Sequence, residues 1–280
     1  MTIFLWWCSG FVALYGVICL LLFFLQRRII FEPRFQAIDP IPTNFALEYD
    51  SVSIPVENGQ MLAGWWFPCA TSQGKTVLFL HGNGGYGEFN FEAVETLHRL
   101  GFAVLMFNYR GYGRSSRVFP NEARIYADAC AGYNFLRQNY QIQPENLLVY
   151  GHSLGGAIAI ELATRYPVAG LFLESTFASM VEMSVTKTYM QFFPIDWILH
   201  QRFDSRSKIP QLRLPIFFCH GTADATVPCE MSEKLMAIAN EPKRLENVQD
   251  ADHYNLSSVG KQTIIEGIQW LSQQRQSAKN

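Results

Sequence analysis

The run Leu147-Leu148-Val149-Tyr150-Gly151-His152-Ser153-Leu154-Gly155-Gly156-Ala157 limits what this chain can fold into more than any other stretch. Four residues suited to a buried strand lead into Gly151-x-Ser153-x-Gly155, and an Ala/Ile/Leu-rich helical pattern follows at once. Strand, sharp turn and helix in that order put a serine on a strained corner. Glycines flank it because side chains there would collide with neighbouring backbone. Such a corner raises Ser153 Oγ above the sheet edge, beside helix-opening amides that favour negative charge. A serine is a poor nucleophile by itself, so the rest of the chain must supply a base, an acid and a site for developing negative charge.

From Thr76 onward the pattern is strand, loop, helix, repeated. Short apolar strands are expected at 76–80, 103–107, 147–150, 168–173, 215–219 and 243–248. Helices are expected at 91–100, ended by Gly101, at 123–139, from Ser153 to Pro167, at 229–239 and around 264–271. Upstream, partial alternation at 48–56 and an apolar run at 61–67 flank Asn58-Gly59, which suits the positive φ angles of a hairpin turn. This alternation means βαβ units, a mostly parallel sheet and binding groups at the strands' carboxyl ends. Residues 175–212 break the rhythm. They carry Met180, Met183, Met190, Phe192, Phe193 and Trp197, too many apolar residues for a plain connection, and are expected to form a small helical cap over a hydrophobic pocket. The plainer alternative is that these side chains pack on the sheet.

Residues 3–25 hold no charged side chain. At about 1.5 Å per residue, a helix of that length spans a hydrocarbon core of about 30 Å. Trp6 and Trp7 near one end and Gln26-Arg27-Arg28 at the other suit interfacial anchors. A cleaved signal peptide fits poorly: no basic segment precedes the run, the run is too long, and no small-x-small site precedes the arginines. The expected organisation is a single-pass membrane anchor at 1–28, a Pro-containing juxtamembrane linker at 29–45 and one domain at 46–280. Arg27 and Arg28 follow the helix, so the positive-inside rule puts that domain on the cytoplasmic side. Apolar residues make up 49% of the chain and charged residues 16%, in keeping with a membrane segment. A net charge of −2 points away from nucleic acid or an acidic polymer as partner. The six cysteines have neither metal-ligand spacing nor the arrangement of a short-loop disulfide framework, and are expected to be reduced.

The base must come from six histidines. His81 and His220 each end a strand as His-Gly and are expected to structure turns. His98 lies on an amphipathic helix with its side chain outward, and His200 belongs to the cap. His152 adjoins the serine, but adjacent side chains at a sharp corner point apart. His253 follows the last strand in the loop Asp250-Ala251-Asp252-His253-Tyr254-Asn255, from which it can reach back over the sheet to Ser153. It is the expected general base. For the acid, Asp224 lies directly after a strand, between Gly221 and Pro228, and precedes His253; Asp250 and Asp252 are the alternatives. Negative charge developing in the reaction needs two backbone N–H groups, each worth about 2.7–4 kcal/mol. Leu154 N–H supplies one, and Asn83 N–H in His81-Gly82-Asn83-Gly84-Gly85 supplies the other. That loop lacks the Lys-Ser/Thr ending of a phosphate-binding loop and the glycine spacing of a dinucleotide fingerprint.

Together these pieces resemble the α/β-hydrolase superfamily from about residue 45 onward. The likeness is to the small membrane-anchored, short-capped branch related to prolyl-oligopeptidase-type esterases. It is carried by His81-Gly82-Asn83-Gly84-Gly85, Tyr109-Arg110-Gly111-Tyr112-Gly113, Gly151-His152-Ser153-Leu154-Gly155-Gly156 and Gly221-x-x-Asp224-x-x-Val227-Pro228. The resemblance implies an α/β fold with about eight mostly parallel strands, helices on both faces and a small cap. It also implies a Ser153–Asp224–His253 triad, no cofactor, no metal, and hydrolysis of ester, thioester or lipid acyl bonds. An aminopeptidase or acyl-amino-acid amidase on the same residues is the alternative reaction, and a membrane scaffold without catalysis the alternative class. Asn108 stands where relatives often have Asp, and Asn58-Gly59 where Asp-Gly is usual.

Overall fold

The computed structural model describes residues 2–33, 41, 45–72, 74–86 and 88–277. A long helix, α1 (Thr2–Ile30), comes first; the expected linker at 29–45 lies largely outside the described residues. The strands are β1 (Asp50–Pro55), β2 (Met61–Phe67), β3 (Thr76–Leu80), β4 (Ala103–Phe107), β5 (Leu147–His152), β6 (Gly170–Glu174), β7 (Ile216–Gly221) and β8 (Lys243–Val248). They form one eight-stranded sheet in the order β1-β2-β4-β3-β5-β6-β7-β8. β1 pairs antiparallel with β2, and β2 antiparallel with β4; every other pairing is parallel. The hairpin at the start turns through Asn58 and Gly59, both at positive φ.

β3 to β7 read as unbroken apolar runs because both faces of these strands are covered, and every residue in them is buried. Alternate side chains divide between two cores. Leu78, Leu105, Val149, Leu171 and Ile216 face the side carrying α3 (Glu122–Asn139) and α4 (Leu154–Arg165). Val77, Val104, Leu148, Phe172 and Phe217 face the other, which carries α2 (Glu88–Arg99) and α10 (Lys261–Ser277). Between β6 and β7, within the stretch 175–212 where a cap is expected, the chain forms short helices α5 (Met180–Val185), α6 (Ile195–Ile198) and α7 (Ser205–Lys208). α8 (Glu230–Ile238) precedes β8, and α9 (Leu256–Val259) precedes α10. The C-terminal part of α1 is seated on the domain. Gln26 is buried there, and Phe31, just past the helix end, sits edge-on to Phe203 in the core.

Candidate active site

The corner between β5 and α4 is strained as the glycines foretell. Ser153 has φ 55° and ψ −116°, a backbone conformation rare for a residue with a side chain. A Cβ on Gly155 would run into Leu80 O, and one on Gly156 into the Thr176 hydroxyl, so only glycine lets α4 approach β3 and β6 this closely. Ser153 N–H donates to Glu174 O at 2.8 Å, and the Thr176 hydroxyl donates to Ser153 O at 3.0 Å. The corner is thereby held from the neighbouring strand.

Ser153, His253 and Asp224, each after a different strand, meet in one line of hydrogen bonds. His253 Nε2 lies 3.1 Å from Ser153 Oγ, and His253 Nδ1 lies 2.6 Å from Asp224 Oδ2. An ionised carboxylate only accepts, so Nδ1 carries the ring proton and Nε2 presents a lone pair to the serine hydroxyl. Asp224 Oδ1 accepts the amides of Thr226 and Val227 at 2.9 and 2.8 Å. Burial pushes the Asp224 carboxyl up, but hydrogen bonds from His220 and His253, with the Val227 amide, hold it well below the usual carboxylate range. All three residues are buried, with Ser153 8% exposed. Asp250 and Asp252 do not join them. Asp250 N–H bonds to the Thr222 hydroxyl, while Asp252 Oδ1 accepts the amides of Tyr254 and Asn255 and so shapes the loop that carries His253.

The remaining histidines form a supporting layer. His220 Nε2 donates to Val227 O at 2.9 Å and lies 3.3 Å from Asp224 Oδ2, while its Nδ1 meets the Ser232 hydroxyl at 2.7 Å. The turn expected of His220 is therefore also a brace behind Asp224, a link the His220–Asp224 spacing of four could have suggested. His152 points away from Ser153, as expected, and its Nε2 donates to the backbone oxygen of His253 at 3.2 Å. Burial, with His253 close by, lowers it to about 3, so it stays neutral. His81 Nδ1 donates to Gly82 O at 2.6 Å, and its ring packs against Tyr86, Tyr109 and Tyr112 behind the glycine-rich loop. Burial lowers it to about 4. His98 differs from expectation: it is half-buried, with Nε2 on Pro68 O at 2.9 Å. Glu174 gave no signal beyond a charge at the end of an apolar strand. It is fully enclosed, accepts from Tyr150 OH at 2.5 Å, and burial pushes it up to about 7.

Leu154 N–H opens α4 beside Ser153. Asn83 lines a polar cavity of about 320 Å³ together with Glu32, Gly82, Ser153, His253 and Tyr254, among others. The Asn83 side chain ties this loop to the end of α1: Nδ2 donates to Ile30 O at 2.7 Å, and Oδ1 accepts from Tyr112 OH at 2.9 Å and Glu32 N–H at 3.3 Å. Tyr109-Arg110-Gly111-Tyr112-Gly113 supports the loop from behind. Arg110 in that run is buried, bonding Asp128 through Nε at 2.6 Å and through its amide at 2.8 Å. Asn108 packs so tightly on Gly113 that a Cβ there would sit 2.6 Å from its amide carbon. On the other side of Ser153 lies an apolar chamber, also about 320 Å³, lined by Ile29, Ile30, Phe177, Met180, Met183 and Met190 together with Leu154 and Val227. Among the described residues, no group of three or more His, Cys, Asp and Glu side chains is placed to hold a metal ion, and the six cysteines are free thiols.

This fold recurs in known proteins. The family described as serine aminopeptidase, S33, matches residues 71–208, a stretch that includes Ser153 and ends before Asp224 and His253. An uncharacterised protein of Mycobacterium tuberculosis strain H37Rv is 32% identical over 246 residues, covering 87% of this chain and 85% of its own length. Human alpha/beta hydrolase domain-containing protein 17B is 28% identical over 204 residues, or 72% of this chain and 68% of its own. Among solved structures, an esterase of Pyrococcus furiosus superposes with a TM-score of 0.72 at 21% identity, over 88% of this chain and 98% of its own. The chain belongs to the α/β-hydrolase superfamily. In front of its domain, Trp6–Ile30 is long and apolar enough to cross a membrane.

Proposed function

We propose that this chain is a membrane-tethered serine hydrolase that cleaves carboxylic ester, thioester or lipid acyl bonds through an acyl-enzyme on Ser153. The observation that carries the reading is the continuous line from Ser153 Oγ through both His253 nitrogens to Asp224. In the first half-reaction, Ser153 Oγ attacks the substrate carbonyl while His253 Nε2 takes its proton. Asp224 holds the imidazole tautomer and stabilises the imidazolium that forms. Leu154 N–H and Asn83 N–H bind the oxygen that becomes negative. His253 then gives its proton to the leaving group, and water repeats the sequence in reverse to free the acid. The apolar chamber suits the acyl group, and the polar cavity suits the leaving group. α1 tethers the domain, which we place on the cytoplasmic side. Arg27 donates to Phe119 O and Pro120 O, so Arg28, exposed, is the more available of the two positive charges. The test is turnover of a graded series of acyl nitrophenyl esters: parent protein active and Ser153→Ala inactive supports the reading, whereas equal rates reject it.

A second reading keeps the residues and changes the bond to an aminoacyl amide. The serine aminopeptidase family match favours it, as does Glu32, which lines the polar cavity and could receive an α-ammonium group. On this reading Glu32→Gln lowers turnover of aminoacyl anilides far more than that of uncharged esters. An equal effect on both substrates removes its support.

A further inference from the structure

The cap and the membrane helix share a surface that the hydrolytic site does not explain. α1 lies along the cap for half its length. Tyr15 OH donates to Phe192 O at 2.9 Å, and the Tyr15 ring stacks on Phe193 with centroids 5.6 Å apart. Phe23 packs on His200 at 5.1 Å. Gln26 Nε2 donates to Ile198 O at 2.9 Å, while its Oε1 accepts His200 N–H at 2.8 Å and Gln201 N–H at 3.0 Å. The part of α1 before these contacts, residues 2–14, is only about 20 Å long, short of the roughly 30 Å hydrocarbon core. For α1 to lie across that core, the portion packed on the cap must enter it too and bring the cap edge along.

That edge has the composition such a position requires. Among the described residues outside α1, the exposed large apolar side chains are Tyr49, Val185, Tyr189, Phe192, Trp197, Ile238, Tyr254 and Val259. Half of them fall in residues 185–197, with Phe192 75% and Trp197 87% exposed. An apolar patch of this density marks a partner surface, and Tyr and Trp are the side chains that favour a lipid interface. Lys187 and the Asp196–Arg202 pair border it, and Lys187 has the long stem that lets an ammonium reach headgroups while its methylenes stay in lipid. The same edge opens inward: Tyr189 and Met190, with Ile29 and Ile30 of α1, line the apolar chamber that reaches Ser153.

We propose that the aromatic edge of the cap lies in the bilayer beside α1, and that the apolar chamber takes the acyl chain of its substrate directly from the lipid. The lipid contact rests on α1 lying in a membrane. The route of the acyl chain rests in addition on the hydrolase reading of Ser153. Both are tested on the full chain in phosphatidylcholine vesicles containing a phospholipid with a photoreactive diazirine on its acyl chain. Adducts are expected on α1 and on residues 185–198, and the latter are expected to fall sharply in the Phe192→Glu/Trp197→Glu variant. Adducts on α1 with none on 185–198 overturn the proposal, as does capture of that edge by a second copy of the chain. Adducts on neither segment overturn the membrane reading beneath it. The same variant should keep the parent's rate on a water-soluble acetate ester and lose about tenfold on a long-chain ester dissolved in the vesicles, a loss of about 1.4 kcal/mol. Equal losses on both substrates overturn the route through the cap edge. A parent protein inactive on both, with Ser153 unreactive to a fluorophosphonate, overturns the hydrolase reading and the route with it, and the lipid adducts still decide the membrane contact.

Discussion

Replacing Asp224 by Asn preserves shape and removes control of the His253 tautomer. Asp224 Oδ1 accepts the amides of Thr226 and Val227, so the single acceptor oxygen of an Asn must stay with them. Turning the amide over would set its NH2 group against both N–H groups and leave the buried Val227 N–H without an acceptor, at about 1–3 kcal/mol. The new NH2 group therefore faces His253 Nδ1, where the carboxylate oxygen stood at 2.6 Å. Nδ1 becomes an acceptor, the ring proton moves to Nε2, and Ser153 Oγ at 3.1 Å then meets a proton instead of a lone pair. Loss of the base in the correct tautomer is worth about 10⁴-fold in kcat, or roughly 5 kcal/mol. The assay is kcat for a nitrophenyl ester together with the rate of Ser153 modification by a fluorophosphonate, on protein whose thermal unfolding matches the parent. Asp250→Asn and Asp252→Asn should stay close to the parent in both measurements. An Asp224→Asn enzyme within about tenfold of the parent would refute the tautomer argument, as would a larger loss in either control variant.

Glu174 supplies a pH signature in stability. Its folded-state value, raised from 4.5 to about 7 by burial, means the folded protein holds a proton that the unfolded chain has already released between those pH values. Stability is therefore lost as pH rises from about 4.5 to about 7, by roughly 3 kcal/mol, and Glu174→Gln should flatten that slope in denaturant titrations. A parallel slope in the two proteins would contradict it. Asn83→Ala removes the side-chain bonds to Ile30, Glu32 and Tyr112 while keeping the backbone N–H, and should lower kcat by about tenfold with a smaller change in KM. An unchanged kcat would take the Asn83 loop out of the reaction. Gly155→Ala drives a Cβ into Leu80 O and should reduce the yield of folded protein and lower the unfolding midpoint by more than Gly84→Ala, whose Cβ would meet nothing.

The parts of the fold most legible in the sequence are those where burial is simplest. β3 to β7 are covered on both faces, so they read as apolar runs with turn residues at each end. Ser153, Asp224 and His253 were legible because each stands just beyond a strand of a parallel sheet, where such folds gather their chemistry. Asp224 was preferred to Asp250 and Asp252 for its place after a strand, and in the structure it is Asp224 that bonds His253 Nδ1. Asp250 and Asp252 stand just before His253 in sequence, yet the loop turns their side chains to other hydrogen bonds. His220 and His152 act through Asp224 and through the backbone of His253, contacts made across the sheet that no local pattern records. The end of α1 was least legible. Residues 3–25 state their apolar character plainly, but Gln26, Arg27 and Phe31 reveal nothing in sequence of the cap, the Phe119-Pro120 turn and the Phe203 ring that receive them. A segment read as anchor and spacer thus supplies part of the wall around Ser153.

The central claim is that Ser153 is a nucleophile made reactive by His253. Its most direct measurement is the intact mass and peptide map of the full chain after brief exposure to a fluorophosphonate. The account predicts one covalent adduct, on Ser153, formed by the parent, absent from Ser153→Ala and strongly slowed in His253→Ala. An unmodified parent protein, or an adduct that persists in Ser153→Ala, would contradict it.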